Sequence, residues 1–441
     1  MLYDRWRKVV RDFSNEIALR DLASGQHWTF AQLDSIAAGS LSHPMGEGQG
    51  EGVFPQGPAI DFITAILRGW KSGAIVCPLE AGQDRPQFPP PSKSIAHLKI
   101  TSASTGPARL VAFTADQLAA DAQNIIDTMG LRRDWPNLGV ISLAHSYGFS
   151  NLITPLLLHG IPLVVANSPL PESVGAALRE MGHATLAGVP ALWRAWSEAG
   201  VLSSQNVRLA ISAGAPLPVS LERDIFDRCG IKVRNFYGST ECGGIAYDTT
   251  DQPRTDPGYA GLPMKNVELS VADDGCLEVR GDAVGETYWP QLDARLAHRR
   301  FRTTDLAEIV DGAIYLRGRA TDVINIAGRK ISPETIEIVL LKHPRVRQCA
   351  VFGVPEKDRD RIVACVALKT QQEQTEETKG KISVDPVSSC TAELKQFLLN
   401  HLPAWQVPRD FWFVQDLPTD QRGKLPRAVL RERYLVRMTA Q

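Results

Sequence analysis

Residues 101–110 read TSASTGPARL, hydroxyl side chains gathered around a glycine and closed by an arginine. Backbone N–H groups in such a turn can converge on phosphate oxygens, and the hydroxyls of Ser102, Ser104 and Thr105 add donors. Gly106 lets a ligand come close to the main chain. A polar turn between two buried strands uses the same residue types, and the GxxxxGK[ST] spacing of a Walker loop is absent. A second cluster, NFYGSTECGG at 235–244, follows an apolar run. There Tyr237 can stack on a base, Ser239 and Thr240 can bind a phosphate, and Glu241 offers a hard oxygen to Mg²⁺. A glycine turn capped by a Thr-Glu pair is the alternative.

Three further stretches hold suitable groups. RTTDL (302–306) and RGRATD (317–322) contain Asp305, a carboxylate able to accept two ribose hydroxyls, and Arg319; a surface ion pair accounts for both as well. DLPTDQRGKLPR (416–427) places Lys424 after a glycine in a polar loop, where its ammonium can reach a phosphate or stay solvated. His145, in SLAHSYGFS (142–150), reads either as structural or as a gate or orienting group for a carboxylate, not as a metal ligand.

The elements that must position these groups alternate. Thr29 is placed to cap a helix over the following FAQLDSIAAGSL. DFITAILRGWKSGAIVCPL (61–79) reads as an amphipathic helix, a glycine break and the apolar strand AIVCPL. LKITSASTG is a strand entering a turn, LGVISLAH (138–145) a strand, and HATLAGV and VRLAIS are strands that precede turns. This is strand–helix alternation of an α/β protein. VELSVADDGCLEVRG alternates apolar and polar residues, as a small β-subdomain does. Beyond about 320, ISPETIEIVLLKHP is a helix with a Ser-Pro start and VRQCAVFGVP a buried strand. The run at 370–389 is polar and low in aromatics, as loops and insertions are. The expected organisation is a large, multi-subdomain N-terminal domain at 1–320, with mixed α/β sheets and the small β-subdomain, and a small mobile α+β C-terminal domain at 321–441.

Composition narrows the function classes. A net charge of −1 argues against a nucleic-acid or membrane surface. Seven scattered cysteines without CxxC or zinc spacing read as buried thiols in a reducing compartment. The apolar stretch 151–166 is broken by Pro155, His159 and Pro162 and is too short to span a bilayer. The start, MLYDRWRKVVRDFS, has no apolar signal core. A soluble cytoplasmic protein is expected.

In order along the chain, the clusters resemble the adenylate-forming superfamily of acyl-CoA synthetases, aryl-acid ligases, luciferases and adenylation domains. TSASTGPARLV is similar to TSGTTGxPKGV, LAHSYG to HSxG, SAGAPL (212–217) to SGGAPL, and FYGSTE to YGxTE. FRTTDL resembles YRTGDL, GRATDVINIAGRKISPETIE the hinge GRxxDxIxxxGxxIxPxEIE, and TDQRGK the terminal (T)xxGK loop. Ala103, Leu110 and Thr304 stand where the pattern has glycine, Thr321 stands at the hinge position, and Arg109 keeps the loop's positive charge. About twenty residues separate CPL (77–79) from TSASTG, which implies a shortened N-terminal part.

The resemblance implies an ATP-dependent carboxylic-acid ligase. An acyl- or aryl-adenylate would form with release of pyrophosphate, and the acyl group would pass to a thiol of coenzyme A or of a carrier protein's phosphopantetheine. Transfer to an amine, or a non-catalytic nucleotide- or acyl-binding module, are the alternatives. Ser102, Ser104, Thr105, Gly106 and Arg109 would face the β- and γ-phosphates of ATP. Gly214, Ala215 and Pro216 would line one side of the adenine and Tyr237 the other, with the Asn235 carbonyl near its amine; Gly238 and Ser239 would belong to the same nucleotide site, Gly238 also near the acid pocket. Thr240 would bind the α-phosphate, Glu241 the Mg²⁺, Asp305 and Arg319 the ribose, and Lys424 the carboxylate and α-phosphate. His145, Tyr147, Phe149, Val189, Ser212, Cys242 and Gly243 would form the acid pocket. Ala327, Gly328 and Lys330 would line the thiol's path, and Ala320–Asp322 would be a hinge for domain alternation. An acyl or peptidyl carrier protein is a possible partner; nucleic acid and a membrane span are not expected.

Overall fold

The computed structural model describes residues 1–39, 52–89, 91–92, 94–101, 109–326, 328–356, 359–369, 386–418 and 427–439. They divide into two compact units. The first takes in 1–270, 278–303 and 309–315; the second takes in 271–277, 304–308 and 316–441.

The first unit is built on a twisted α/β sheet. Its parallel strands lie in the spatial order Val233–Ser239, Val207–Ser212, Ala184–Gly188, Asn137–Gly139, Leu163–Val165 and Ile17–Asp21. The antiparallel strands Gly243–Tyr247 and Tyr259–Pro263 extend it at one side. Helices Pro171–Met181, Pro190–Glu198 and Val219–Cys229 connect the parallel strands. Leu178, Leu186, Trp193, Trp196, Ile225 and Val233 form the core between these helices and the sheet. Strands buried on both faces read as near-continuous apolar runs, as ATLAG and VRLAIS do.

A second sheet of this unit holds Ile95–Ile100, Leu110–Thr114 and Thr287–Trp289, all antiparallel. Ile100 pairs with Leu110, so these two strands form a hairpin. The second hairpin strand, Leu110–Thr114, leads into a well-capped helix. Thr114 and Gln117 form a capping box for the Ala115–Met129 helix, as Thr29 and Gln32 do for Phe30–Ala38.

Two expected strands are shorter than the sequence suggests. In AIVCPL only Val76 bridges, to Val53 on one side and His97 on the other; Pro78 has no N–H to continue a ladder. In LGVISLAH the strand stops at Gly139. Ser142 Oγ accepts the Ala144 N–H at 3.2 Å, a local turn that competes with strand pairing.

In the second unit, Val346–Glu356 pairs antiparallel with Arg359–Leu368, which pairs parallel with Asp410–Val414. Successive side chains leave opposite faces. Cys349 and Val351 pack with Ile336, Leu340, Leu394 and Leu398 of the helices Pro333–Leu340 and Pro386–Leu399. Ala350 and Phe352 pack with Leu430 and Tyr434 of the helix Arg427–Thr439. Two covered faces explain why CAVFGV lacks polar alternation. The protein is thus mixed α/β, with a large first unit and a smaller α+β one. No helix among the described residues is long and apolar enough to cross a membrane.

Candidate active site

Ligands of open α/β sheets sit beyond the carboxyl ends of the parallel strands. The sequence clusters of the first unit fall there. Val189 follows the strand Ala184–Gly188, Ser212 ends the next, and Gly214, Ala215 and Pro216 turn away from it with Gly214 and Pro216 exposed. Gly214 has φ +85°, and a Cβ there would lie 3.4 Å from Val189. Asn235, Tyr237, Gly238 and Ser239 belong to the strand Val233–Ser239, and Thr240, Glu241 and Cys242 form the turn to Gly243.

This turn is held from within. Ser239 Oγ accepts the Glu241 N–H at 3.2 Å and lies 3.2 Å from Cys242 Sγ. Gly243 has φ +68°, and a Cβ there would stand 2.0 Å from Asp121 Oδ1. The same carboxylate accepts the Gly244 N–H at 3.1 Å. A glycine at 243 is therefore required both by conformation and by close approach.

Glu241 is held on two sides. Its backbone carbonyl accepts the Gly285 N–H at 2.8 Å, and Tyr288 donates its hydroxyl to Oε1 at 2.9 Å. The Arg109 guanidinium lies 3.5 Å from the centre of the Tyr288 ring and bonds Asp293 at 3.1 Å. Arg295 holds the Asp293 carboxyl well below the usual carboxylate range, with Arg109 assisting. Thr101 and Arg109 also clamp the hairpin base: the Thr101 N–H reaches the Arg109 carbonyl at 2.8 Å, and Thr101 Oγ1 accepts the Arg109 N–H at 2.9 Å. No group of three or more metal-ligating side chains occurs among the described residues. One carboxylate with a second oxygen to offer fits a magnesium ion that brings most of its ligands as phosphate oxygens and water.

The side chains expected around the acid divide. Tyr147 directs its hydroxyl to the carbonyls of Ile211 (3.2 Å) and Gly188 (3.4 Å), and burial pushes this phenol up. Its ring lies 6.0 Å from Phe236. Ser212 is buried, and its hydroxyl has no partner. Phe149 points into the interior, 4.5 Å from the ring of buried His97. His145 lies 3.2 Å from Glu80, which also accepts the Ser142 hydroxyl.

Two buried charge networks lie behind the strand ends. Lys99 bonds Ser150 at 3.2 Å and faces Asp121 at 3.8 Å, and Ser150 donates to Asp121 at 2.6 Å. Burial lowers the Lys99 ammonium, which Asp121 partly offsets. Under Asn235, Lys232 bonds both Glu222 and Asp248, and Arg254 bonds Glu222 at 2.7 Å. Arg254 also holds the carbonyls of Leu217 (2.7 Å) and Tyr259 (3.0 Å), and Asn235 offers its carbonyl to the Asp248 N–H at 2.9 Å. Sequence reading missed Lys99, Asp121, Glu80, Tyr288 and Asp293. Only the apolar setting of Lys99, in IAHLKI, could have signalled one of them.

In the second unit Arg319 Nε bonds Asp305 at 3.0 Å. Gly328 has φ +86° and donates its N–H to Asn325 at 2.9 Å; Lys330 is exposed. Arg427 bonds Asp322 at 2.9 Å, Glu334 at 2.8 Å and Glu337 at 2.7 Å. Ser102, Ser104, Thr105, Gly106, Ala327 and Lys424 lie outside the described residues.

Comparison with known proteins adds to this geometry. Residues 78–289 match the family model described as AMP-binding enzyme, and 335–424 match the AMP-binding enzyme C-terminal domain. A 4-hydroxybenzoate–CoA/benzoate–CoA ligase of Rhodopseudomonas palustris is 27% identical over 77% of this chain; the match spans 65% of that relative's own length. A 3-methylmercaptopropionyl-CoA ligase of Ruegeria pomeroyi is 27% identical over 86% of this chain and 73% of its own. The ATP-bound crystal structure of MatB from Rhodopseudomonas palustris superposes with a TM-score of 0.82 at 20% identity, over 98% of this chain and 99% of that one.

Proposed function

The chain belongs to the AMP-binding enzymes of the adenylate-forming superfamily, and from that footing we propose that it activates a carboxylic acid with ATP and passes the acyl group to a thiol. The observation that carries this reading is the pairing of a clamped hairpin loop, Thr101 to Arg109, with a carboxylate, Glu241, tied by Tyr288 to the same arginine. A hairpin clamped at its base suits a triphosphate, and a fixed carboxylate suits the cation that travels with it.

In the proposed reaction a carboxylate oxygen of the acid attacks the α-phosphorus, the bond to the β-phosphate oxygen breaks, and pyrophosphate leaves. Two anions must be brought together, so positioning and charge neutralisation provide the rate. Ser102, Ser104, Thr105, Gly106 and Arg109 take the β- and γ-phosphates. Tyr237 and the Gly214–Pro216 turn take the adenine, Thr240 the α-phosphate, and Asp305 with Arg319 the ribose. A magnesium ion on Glu241 would neutralise phosphate charge. Lys424 bridges the acid and the α-phosphate. A thiol then attacks the acyl carbon and AMP leaves. Coenzyme A is the proposed acceptor, with Gly328 and Lys330 on its path; a carrier protein's phosphopantetheine is the other thiol source. Tyr147, Val189, Ser212, Cys242 and Gly243 shape the acid pocket, with His145 orienting the carboxylate. Their mixture of ring and small residues suits an aryl acid or a short acyl chain. The domain division proposed for this reaction falls at 320/321.

The test is mass spectrometry of reactions with ATP, Mg²⁺ and a panel of aryl and aliphatic acids, with and without coenzyme A. The reading expects an acyl-adenylate that becomes a thioester when coenzyme A is added. An adenylate that gives only an amide with added amines would move the second step to a nitrogen nucleophile. ATP binding without any adenylate would leave a nucleotide-binding module.

A further inference from the structure

We propose that Tyr288 is a positioning residue that sets the carboxylate of Glu241 and the guanidinium of Arg109 as one unit for the magnesium–nucleotide complex. This inference rests on the adenylation reading. Tyr288 sits in the middle of the strand Thr287–Trp289, paired with Val111, so its backbone is fixed beside the end of the hairpin loop. The side chain is 4% exposed. Its two functional surfaces are both in use: the hydroxyl donates to Glu241 Oε1, and the ring lies under the Arg109 guanidinium.

The arrangement answers two problems of the site. Glu241 stands in a turn between Ser239 and Gly243, where a carboxylate held only by its own stem would rotate. The Tyr288 hydroxyl fixes one oxygen and leaves Oε2 for a cation. The Arg109 backbone is clamped to Thr101, but its long side chain needs partners of its own to hold one orientation. Stacking on the Tyr288 ring orients its plane, and Asp293, itself held by Arg295 at 2.8 Å, fixes one end of the guanidinium.

The two halves of Tyr288 can be tested apart. Tyr288→Phe keeps the ring and removes the hydroxyl; Tyr288→Leu removes both. ATP affinity of the full chain is measured by calorimetry with and without Mg²⁺, alongside the thermal midpoint. In the unmodified protein Mg²⁺ should strengthen ATP binding, and an absence of any gain overturns the proposal. In Tyr288→Phe the gain from Mg²⁺ should shrink by about tenfold while Mg²⁺-free affinity holds, and the thermal midpoint reads separately the stability cost of losing one hydrogen bond to a charged group. Tyr288→Leu should in addition weaken Mg²⁺-free ATP binding. An undiminished Mg²⁺ gain in Tyr288→Phe overturns the proposal and leaves the adenylation reading standing. Absence of ATP binding by the unmodified protein overturns both.

Discussion

The ammonium of Lys99 lies 3.8 Å from the carboxylate of Asp121, and each side chain is only 3% exposed. Lys99 stands two residues before Thr101, at the base of the hairpin loop, and Asp121 holds the Gly244 N–H beyond the Glu241 turn. The pair therefore ties the strand entering the loop to the strand leaving the turn. Removing one member strands the other charge in the interior, which costs about 3–5 kcal/mol. Asp121→Leu should lower stability by that amount in urea unfolding. Adding Lys99→Met to it should recover part of the loss, because no uncompensated charge then remains. A double variant as unstable as the sum of the singles would contradict the pairing.

Gly243→Ala should be more damaging than a typical added methyl group. The backbone has φ +68°, and the new Cβ would meet the Asp121 carboxylate at 2.0 Å. Neither the conformation nor the contact can be kept, and we expect a loss of about 2–3 kcal/mol. ATP binding should weaken with it, because the displaced turn carries Thr240 and Glu241. Thermal unfolding and calorimetry read the two effects separately.

His97 gives the first unit an acid-sensitive point. Its ring is fully buried with no partner for either nitrogen, and burial, with Lys99 nearby, holds its pKa well below the ordinary 6.5. The unfolded chain therefore binds a proton below pH 6.5 that the folded chain does not. Stability from this group is complete above pH 6.5 and falls below it by about 1.4 kcal/mol per pH unit. His97→Phe, whose ring suits the contact with Phe149, should flatten that limb of the stability–pH curve. An unchanged slope would place the acid sensitivity elsewhere.

Arg427 should be required within the second unit. It pairs with Glu337, whose carboxylate is buried and whose pKa stands above the usual range because of that burial, with Arg427 opposing the rise. Arg427→Met should cost about 3 kcal/mol at pH 7. Its folded Glu337 would then hold a proton that the unfolded chain releases. The deficit should be small near pH 4 and grow as pH rises, and Glu337→Gln in the same chain should relieve it. Urea midpoints at pH 5 and pH 8 decide this.

The parts of the site that the sequence displayed are those that backbone geometry dictates. Gly214 and Gly243 are required by positive φ, and the hydroxyls at 239 and 240 by a turn at a strand end, so each leaves a compact local pattern. The alternation of strands and helices was legible for the same reason. What stayed hidden is the support. Tyr288 is 47 positions from Glu241, Asp293 is 184 from Arg109, and nothing in either local sequence points to its partner. Glu80 follows an apolar run that resembles a full strand, yet its carboxylate meets Ser142 and His145, more than sixty positions away. LGVISLAH misled because apolar residues leaving a sheet to line a loop look the same as those that stay in it.

The central claim is that this chain transfers AMP to a carboxylic acid, and isotopic exchange between pyrophosphate and ATP measures that step alone. With Mg²⁺ and a suitable acid from an aryl and aliphatic panel, label should pass from pyrophosphate into ATP without any thiol present. Lys424→Ala should lower the exchange by about a hundredfold or more, with ATP binding retained. Absence of acid-dependent exchange across the panel, from a protein that binds ATP, would contradict the claim.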